Sequence, residues 1–392
     1  MAEYLVEELL AKLVEIPSVN PAHSADPSVT GERKVADFIA GYLSDRAFRI
    51  DWLEKTPGRP NLIASFGPDD PKYTVLLEAH LDTVGVDSMT VAPFDPEIRD
   101  GRMYGRGTTD TKGPLAAALQ ALDKDRLRAL SDAGCRIILA GAMGEETGNE
   151  GAFQMAEHGI RADEALILEP TEMQLIHTHK GTLWFQVEIQ GIPAHGSNPE
   201  LGRSAILAMQ RVMESLNRQI EDDQRRSNDP VLGMPTLNVG MIRGGTALNI
   251  VPEKCVIDVD RRTLPEEDTR AIMRRIDVVL AKLKSTGEIR AGQLCLIKDS
   301  PAFSTPPEGR LIRRLVKCCA DAGVNAKPAG AAWHSDAGAL SAVCGETVVF
   351  GPGSIKQAHT SDEFIALEDL RRGTECLRRF FEALAEDVKG MR

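Results

Sequence analysis

The chain has 392 residues, 42% of them hydrophobic and 27% charged, with 34 glycines and 22 prolines spread along it. That is more chain than one hydrophobic core serves, so about two or three domains are expected, and disordered, collagenous and fibrous classes are excluded. A formal net charge of −12 repels phosphates and anionic headgroups, which argues against nucleic acid and membrane as partners and leaves small molecules or proteins.

Leu5, Leu9, Leu13 and Ile16 recur at helical spacing, and Pro17 ends that helix. A second helix from Gly31 to Leu43 leads into strand-like segments at Arg49–Leu53, Asn61–Phe66 and the apolar run Tyr73–Leu77, which suits a strand buried on both faces. A long loop (Gly85–Gly107), an alanine-rich helix (Pro114–Leu122), a strand (Arg136–Ala140), a helix (Gly151–His158) and a strand (Glu164–Leu168) follow. Strands alternating with helices predict an α/β domain with a parallel or mixed sheet and helices on both faces.

From His179 the order becomes strand (Thr182–Gln190), helix (Gly202–Gln219), strand (Thr236–Arg243), strand (Cys255–Arg262), helix (Glu266–Leu283) and strand (Leu294–Lys298). This β-α-β-β-α-β order predicts an inserted ferredoxin-like α+β domain. The polar stretch Glu221–Asn228 reads as a solvated loop. A helix (Gly309–Ala322), a strand near Thr347–Phe350 and a final helix from Leu367 to Leu384 return to the first pattern. The expected division is a discontinuous domain of residues 1–178 and 299–392 around an insert of residues 179–298. Seven cysteines without a CxxC pair read as reduced, mostly buried thiols. The N-terminus has no basic patch followed by an apolar run, and no stretch approaches the roughly 18–20 apolar residues of a membrane span, so a cytoplasmic protein is expected.

The chemistry-bearing residues gather where predicted strands end, which is where open α/β sheets bind ligands. His80 and Asp82 follow the Tyr73–Leu77 strand, and an HxD pair can supply a metal ligand and the group that orients it. Asp110 sits in the glycine-rich segment Gly105–Gly113, Glu145-Glu146 follow the Arg136–Ala140 strand, and Glu169 follows Ala165–Leu168. Singly, each acid would read as a cap, a turn or a surface residue. Converging on one sheet edge, they concentrate negative charge that calls for cations. His359, after the strand near Phe350, would close the site from the far end of the chain.

In this order, H-x-D, GRGxxD-x-K-G, the Glu-Glu pair, Glu-Pro and H-x-x-D-E resemble the motifs of the di-zinc amidohydrolases that include acetylornithine deacetylase, succinyl-diaminopimelate desuccinylase, aminoacylase-1 and the carboxypeptidase G type. The resemblance covers essentially the whole chain and implies a mixed-sheet metallohydrolase catalytic domain with an inserted lid and dimerisation domain. It also implies two divalent metal ions, zinc by ligand type with cobalt or manganese open, one on His80 and Glu169, the other on Glu146 and His359, with Asp110 bridging. Asp82 would orient His80, and Glu145 would be the general base toward a metal-activated water.

In the insert, the resemblance makes His195 of the AHGS segment the oxyanion donor, reaching its own or a partner's site, and Asn249 a substrate contact. Arg262, which must face opposite to its strand neighbour Arg261, would grip a substrate carboxylate. Gly353, also a substrate contact, would allow close approach of the backbone to the substrate. The implied reaction is hydrolysis of the amide of an N-acyl amino acid, with a dipeptidase or carboxypeptidase as the alternative and a catalytically silent binder as a third reading. A homodimer through the insert is the implied assembly. No GxSxG elbow and no HxE…PCxxC deaminase signature is present. Trp333, His334, His23, His158, His177 and His179 match no motif position.

Overall fold

The structure, a computed structural model, describes residues 4–391. Two compact units emerge. One takes the chain up to His177 together with Ser304–Gly330 and the residues from Ser335 onward, and the other takes Thr178–Phe303 with Ala331–His334.

The first unit is built on a mixed nine-stranded sheet. At its centre the strands Cys135–Ala142, Tyr73–His80, Ala162–Ile167 and Cys344–Val349 lie side by side and parallel. Arg59–Phe66 and Arg49–Thr56 extend one side in antiparallel pairing. The centre is apolar because both faces are covered by helices: in Tyr73–His80 only Thr74 is more than marginally exposed. Helices Val6–Val14, Lys112–Ala121, Lys124–Ala133, Arg310–Asp321 and Leu367–Gly390 pack on one another through Leu9, Leu13, Leu119, Leu315, Phe380 and Phe381, all buried. Helices Arg33–Ser44 and Glu150–His158 lie against the antiparallel strands.

Four adjacent parallel strands end together, which brings the loops after His80, Ala142, Ile167 and Val349 to one edge. A buried ion pair ties the remaining loop to this edge. Glu363 accepts from Arg106 Nη1 at 2.6 Å and from the backbone N–H groups of Gly107, Thr109 and Asp110 at 2.9 to 3.2 Å. Burial pushes its carboxyl up and the Arg106 guanidinium pulls it back. Arg106 also donates to the carbonyls of Gly85 and Thr360.

The second unit is the expected β-α-β-β-α-β module. Its strands Gly181–Gln190, Thr236–Gly244, Lys254–Thr263 and Ala291–Ser300 form an antiparallel sheet in which the first and third lie in the middle. Leu183, Phe185, Val187 and Ile189 alternate onto the face covered by helices Ala205–Arg226 and Thr269–Ser285.

Several local expectations fail for identifiable reasons. Glu221–Arg226 is helical rather than a solvated loop, because Asp223 reaches the guanidinium groups of Arg275 and buried Arg261 at 2.7 to 3.1 Å and holds the extra turns. Helix Lys124–Ala133, absent from the sequence reading, is started by the Asp123 side chain capping Arg126 N–H and ended by left-handed Gly134. The Gly85–Gly107 loop contains two short strands, Glu97–Arg99 and Arg102–Tyr104, the second paired with Phe364–Ala366. All seven cysteines are free thiols, and Cys135, Cys255, Cys318, Cys319 and Cys376 are buried. Among the described residues no helix is long and apolar enough to cross a membrane.

Removing one member of a buried pair strands the other's charge. Glu363→Ala is therefore expected to destabilise the first unit by about 3–5 kcal/mol. Urea unfolding checks this, and a loss below about 1 kcal/mol, the level of a surface pair, would contradict it.

Candidate active site

His80 is the last residue of its strand and is buried. Its Nδ1–H donates to the backbone carbonyl of Asp82 at 2.8 Å, which leaves Nε2 turned toward Asp110 Oδ1 at 2.9 Å and Glu169 Oε1 at 3.8 Å. The other Asp110 oxygen, Oδ2, lies 3.3 Å from His359 Nε2, and Glu146 Oε2 is 3.1 Å from the same nitrogen. Two groups of potential metal-ligand atoms result, each within 4.8 Å of one another: His80, Asp110 and Glu169, and Asp110, Glu146 and His359. Asp110 belongs to both.

The electrostatics follow from four acids and two imidazoles at one edge, buried at His80, Asp110 and Glu169, partly buried at Glu145 and Glu146, and exposed at His359. Burial opposes the charge on His80, but its bond to Asp110 and the negative charge of Glu169, Asp110 and Glu145 raise its pKa well above the usual histidine range. Hydrogen bonds to Asp110 and Glu146 push His359 up to about 10. Asp110 is buried, yet its bonds to His359 and His80 hold it well below the usual carboxylate range. Glu169 and Glu146 are raised, first by burial.

Asp82 lies beside His80, but its carboxylate does different work from the one expected. Its nearest oxygen is 3.8 Å from His80 Nδ1, and the ring is held instead by the Asp82 carbonyl. The carboxylate accepts the backbone N–H groups of Glu145 and Glu146 at 3.1 and 3.2 Å and Asn20 Nδ2 at 2.7 Å. It therefore anchors the turn that carries the two glutamates. Glu145 Oε1 accepts from Asn149 Nδ2 at 3.2 Å, and the same nitrogen donates to Asp336 Oδ1 at 2.9 Å. Asp336 is fully buried, and burial pushes it up to about 6.

Gly353 has φ +90° and sits so close to Thr109 that a Cβ would meet Thr109 Oγ1 at 2.6 Å. The requirement for glycine is thus met by packing against the turn before Asp110. Thr111 reinforces that turn through a hydroxyl bond to the Leu168 carbonyl, beside Glu169.

His195, Asn249 and Arg262 belong to the second unit. The AHGS loop lies along the Asn249 loop: Gly196 N–H donates to the Asn249 carbonyl at 2.8 Å, and His195 bridges Ile250. His195 is exposed, and its Nδ1 accepts from Ser197 N–H at 3.2 Å and lies 2.7 Å from Ser197 Oγ, so Nε2 carries the proton and faces outward as a donor. On Lys254–Thr263, Arg261 is buried against Asp223 and Glu267, while Arg262 emerges on the other face beside Asp260 and Thr182 Oγ1. His334 Nδ1 also reaches Thr182 Oγ1, at 3.0 Å. His177 and His179 are buried histidines bonded to the carbonyls of Thr305 and Lys180.

Asn20, Glu363 and Asn149 were not singled out from sequence. Glu363 closes the H-x-x-D-E motif and Arg106 lies in GRG, so their motifs flagged the positions without the pairing. Asn20 and Asn149 carry no sequence signal, since asparagine is at home in any turn.

The sequence profile of peptidase family M20/M25/M40 matches residues 76–383. The chain is 31% identical over 391 residues to acetylornithine deacetylase of Proteus mirabilis strain HI4320, covering 97% of this chain and 98% of that one. Acetylornithine deacetylase of Pectobacterium carotovorum subsp. carotovorum strain PC1 is 32% identical, with 91% and 92% covered. Among solved structures, an M20 family metallo-carboxypeptidase from Sulfolobus solfataricus superposes with a TM-score of 0.78 at 18% identity, covering 98% of this chain and all of that one. Aminopeptidase PepT from Bacillus cereus gives 0.73 at 21%, with 98% and 100% covered. These solved structures share the fold. With a profile match over most of its length and a full-length relative at 31% identity, the chain belongs to peptidase family M20/M25/M40 and is a metal-dependent hydrolase of amide bonds.

Proposed function

We propose that the protein removes the acyl group from N-acyl amino acids, as a deacylase of the acetylornithine deacetylase type. The observation that carries this reading is the pair of donor sets joined by Asp110, with Glu145 next in sequence to Glu146, in a chain similar along its length to acetylornithine deacetylases.

The residues fit two divalent cations. Imidazole and carboxylate donors suit zinc, with cobalt and manganese compatible, and Glu146 Oε1 is buried with no hydrogen-bond partner among the described residues. His80 and Glu169 would hold one ion, Glu146 and His359 the other, with Asp110 between them. Bound there, the cations supply Lewis acidity that polarises an amide carbonyl and acidifies water.

The remaining steps fall to side chains. Glu145 takes a proton from the attacking water and returns it to the leaving amine. His195, with Nε2–H outward, donates to the oxyanion, and Arg262 forks onto the substrate carboxylate, with Asn249 as a further contact. Five free buried cysteines suit the reducing cytoplasm. The edge strand Thr236–Gly244, whose outer side has no partner strand among the described residues, and the exposed Met241, Ile242, Leu248 and Ile250 support a homodimer through the second unit.

The reading is tested by stripping metal with a chelator, restoring zinc or cobalt, and following amine release from N-acetyl and N-succinyl amino acids and dipeptides. Metal-restored cleavage of the acyl amino acids is expected. Preferential cleavage of dipeptides would replace the deacylase reading with a peptidase one. Glu145→Gln should keep its metal content and lose about 10²–10⁴-fold in kcat. An active Glu145→Gln would remove Glu145 from the mechanism. In sedimentation the wild type should run as a dimer and Ile242→Lys as a folded monomer, whereas a monomeric wild type would end the dimer proposal.

A further inference from the structure

Glu145 is a flexible side chain asked to hold a carboxylate at one place, and it is tethered through Asn149. The Asn149 side chain is buried, and its Nδ2 donates one hydrogen to Glu145 Oε1 (3.2 Å) and the other to Asp336 Oδ1 (2.9 Å). With a carboxylate on each side, only the NH₂ end of the amide can point this way, so the orientation of the group is determined. Asp336, itself fully buried and immediately before helix Ala337–Leu340, gives the amide a rigid partner.

The backbone of Asn149 is equally specified. It is left-handed (φ +57°), a conformation asparagine tolerates better than most residues, and its N–H donates to the Gly144 carbonyl at 3.0 Å. Asp82 holds the N–H groups of Glu145 and Glu146 from the opposite side of the turn. The main chain of Glu145 is thus anchored by Asp82, while its carboxylate is anchored by Asn149.

We infer that Asn149, braced by Asp336, is a positioning residue that aims the Glu145 carboxylate for proton transfer. The inference rests on the reading of Glu145 as the general base. Asn149 is itself buried. It acts by restricting where Glu145 can be, and misplacement of a reacting group by about 1 Å can cost about 100-fold in rate.

Two variants test it on the metal-loaded full chain, with the best substrate of the acyl amino acid panel. Asn149→Gly keeps the left-handed backbone and removes the amide. Asn149→Asp keeps the shape and sets a third carboxylate between the two acceptors. Both are expected to lose roughly 10–100-fold in kcat with KM unchanged. Metal content, measured by mass spectrometry, should equal that of wild type, and the thermal midpoint of Asn149→Gly should stay near it. A wild-type kcat in Asn149→Gly would overturn the inference, as would a KM or metal content that moved together with kcat, which is the behaviour of a structural residue. Glu145→Gln separates the two levels. If it is inactive with metal bound while Asn149→Gly is fully active, only the positioning role fails. If it turns over, the role of Glu145 fails and the positioning role with it.

Discussion

The buried carboxylate of Glu363 determines where Asp110 can be, and the rest of the site depends on Asp110. The N–H groups of Gly107, Thr109 and Asp110 and the Arg106 guanidinium converge on Glu363, so the glycine-rich turn has one shape. In that shape Asp110 presents one oxygen to His80 and the other to His359. The N–H groups of Gly107, Thr109 and Asp110 are spent on Glu363 and do not compete with the imidazoles for the Asp110 oxygens. The same contact joins two segments more than 250 positions apart and therefore sets the distance between the first and last donors of the site.

Around this anchor the site is an arrangement of negative charge that protein groups only partly neutralise. Asp110, Glu146 and Glu169 share two imidazoles, and burial raises Glu146 and Glu169. Cations are the economical solution to such a cluster, since they offset several carboxylates at once without a proton at any of them. The supporting acids are satisfied differently. Asp82 spends its charge on backbone N–H groups, and Asp336 is pushed up to about 6 by burial while the Asn149 amide pulls it back. Chemically similar side chains thus divide into those that face the donor cluster and those that hold the turns around it.

The second unit follows its own rules. Its sheet is half covered, its strands alternate, and its helices bury Val212, Leu216, Ile276 and Leu280 against one face. Arg261 and Arg262 show what alternation does to neighbouring identical residues: one is locked into a buried ion network with Asp223 and Glu267, the other emerges partly exposed on the opposite face, paired with Asp260 and bonded to Thr182 Oγ1. Burial of Arg261 also lengthened a helix, since Asp223 had to be reached by a segment whose composition is that of a loop.

The two-unit architecture, the inserted β-α-β-β-α-β order and the residues of the donor cluster were legible in the sequence, because apolar periodicity is local and because His80, Asp110, Glu146, Glu169 and His359 stand in short motifs beside predicted strand ends. Helix Lys124–Ala133, with its polar exposed face, and the helical turns at Glu221–Arg226 were not, since their stability comes from a cap and from distant arginines. Nor did the sequence distinguish the carbonyl of Asp82 from its carboxylate as the partner of His80: an HxD spacing is the same for both, and only the packed turn decides which oxygen reaches the ring. The partners of Glu363 and Asn149 were likewise decided by tertiary structure alone. A hydrogen bond between segments far apart in the chain depends on positions fixed by the sheet and its helices, and residue identity carries no record of that distance.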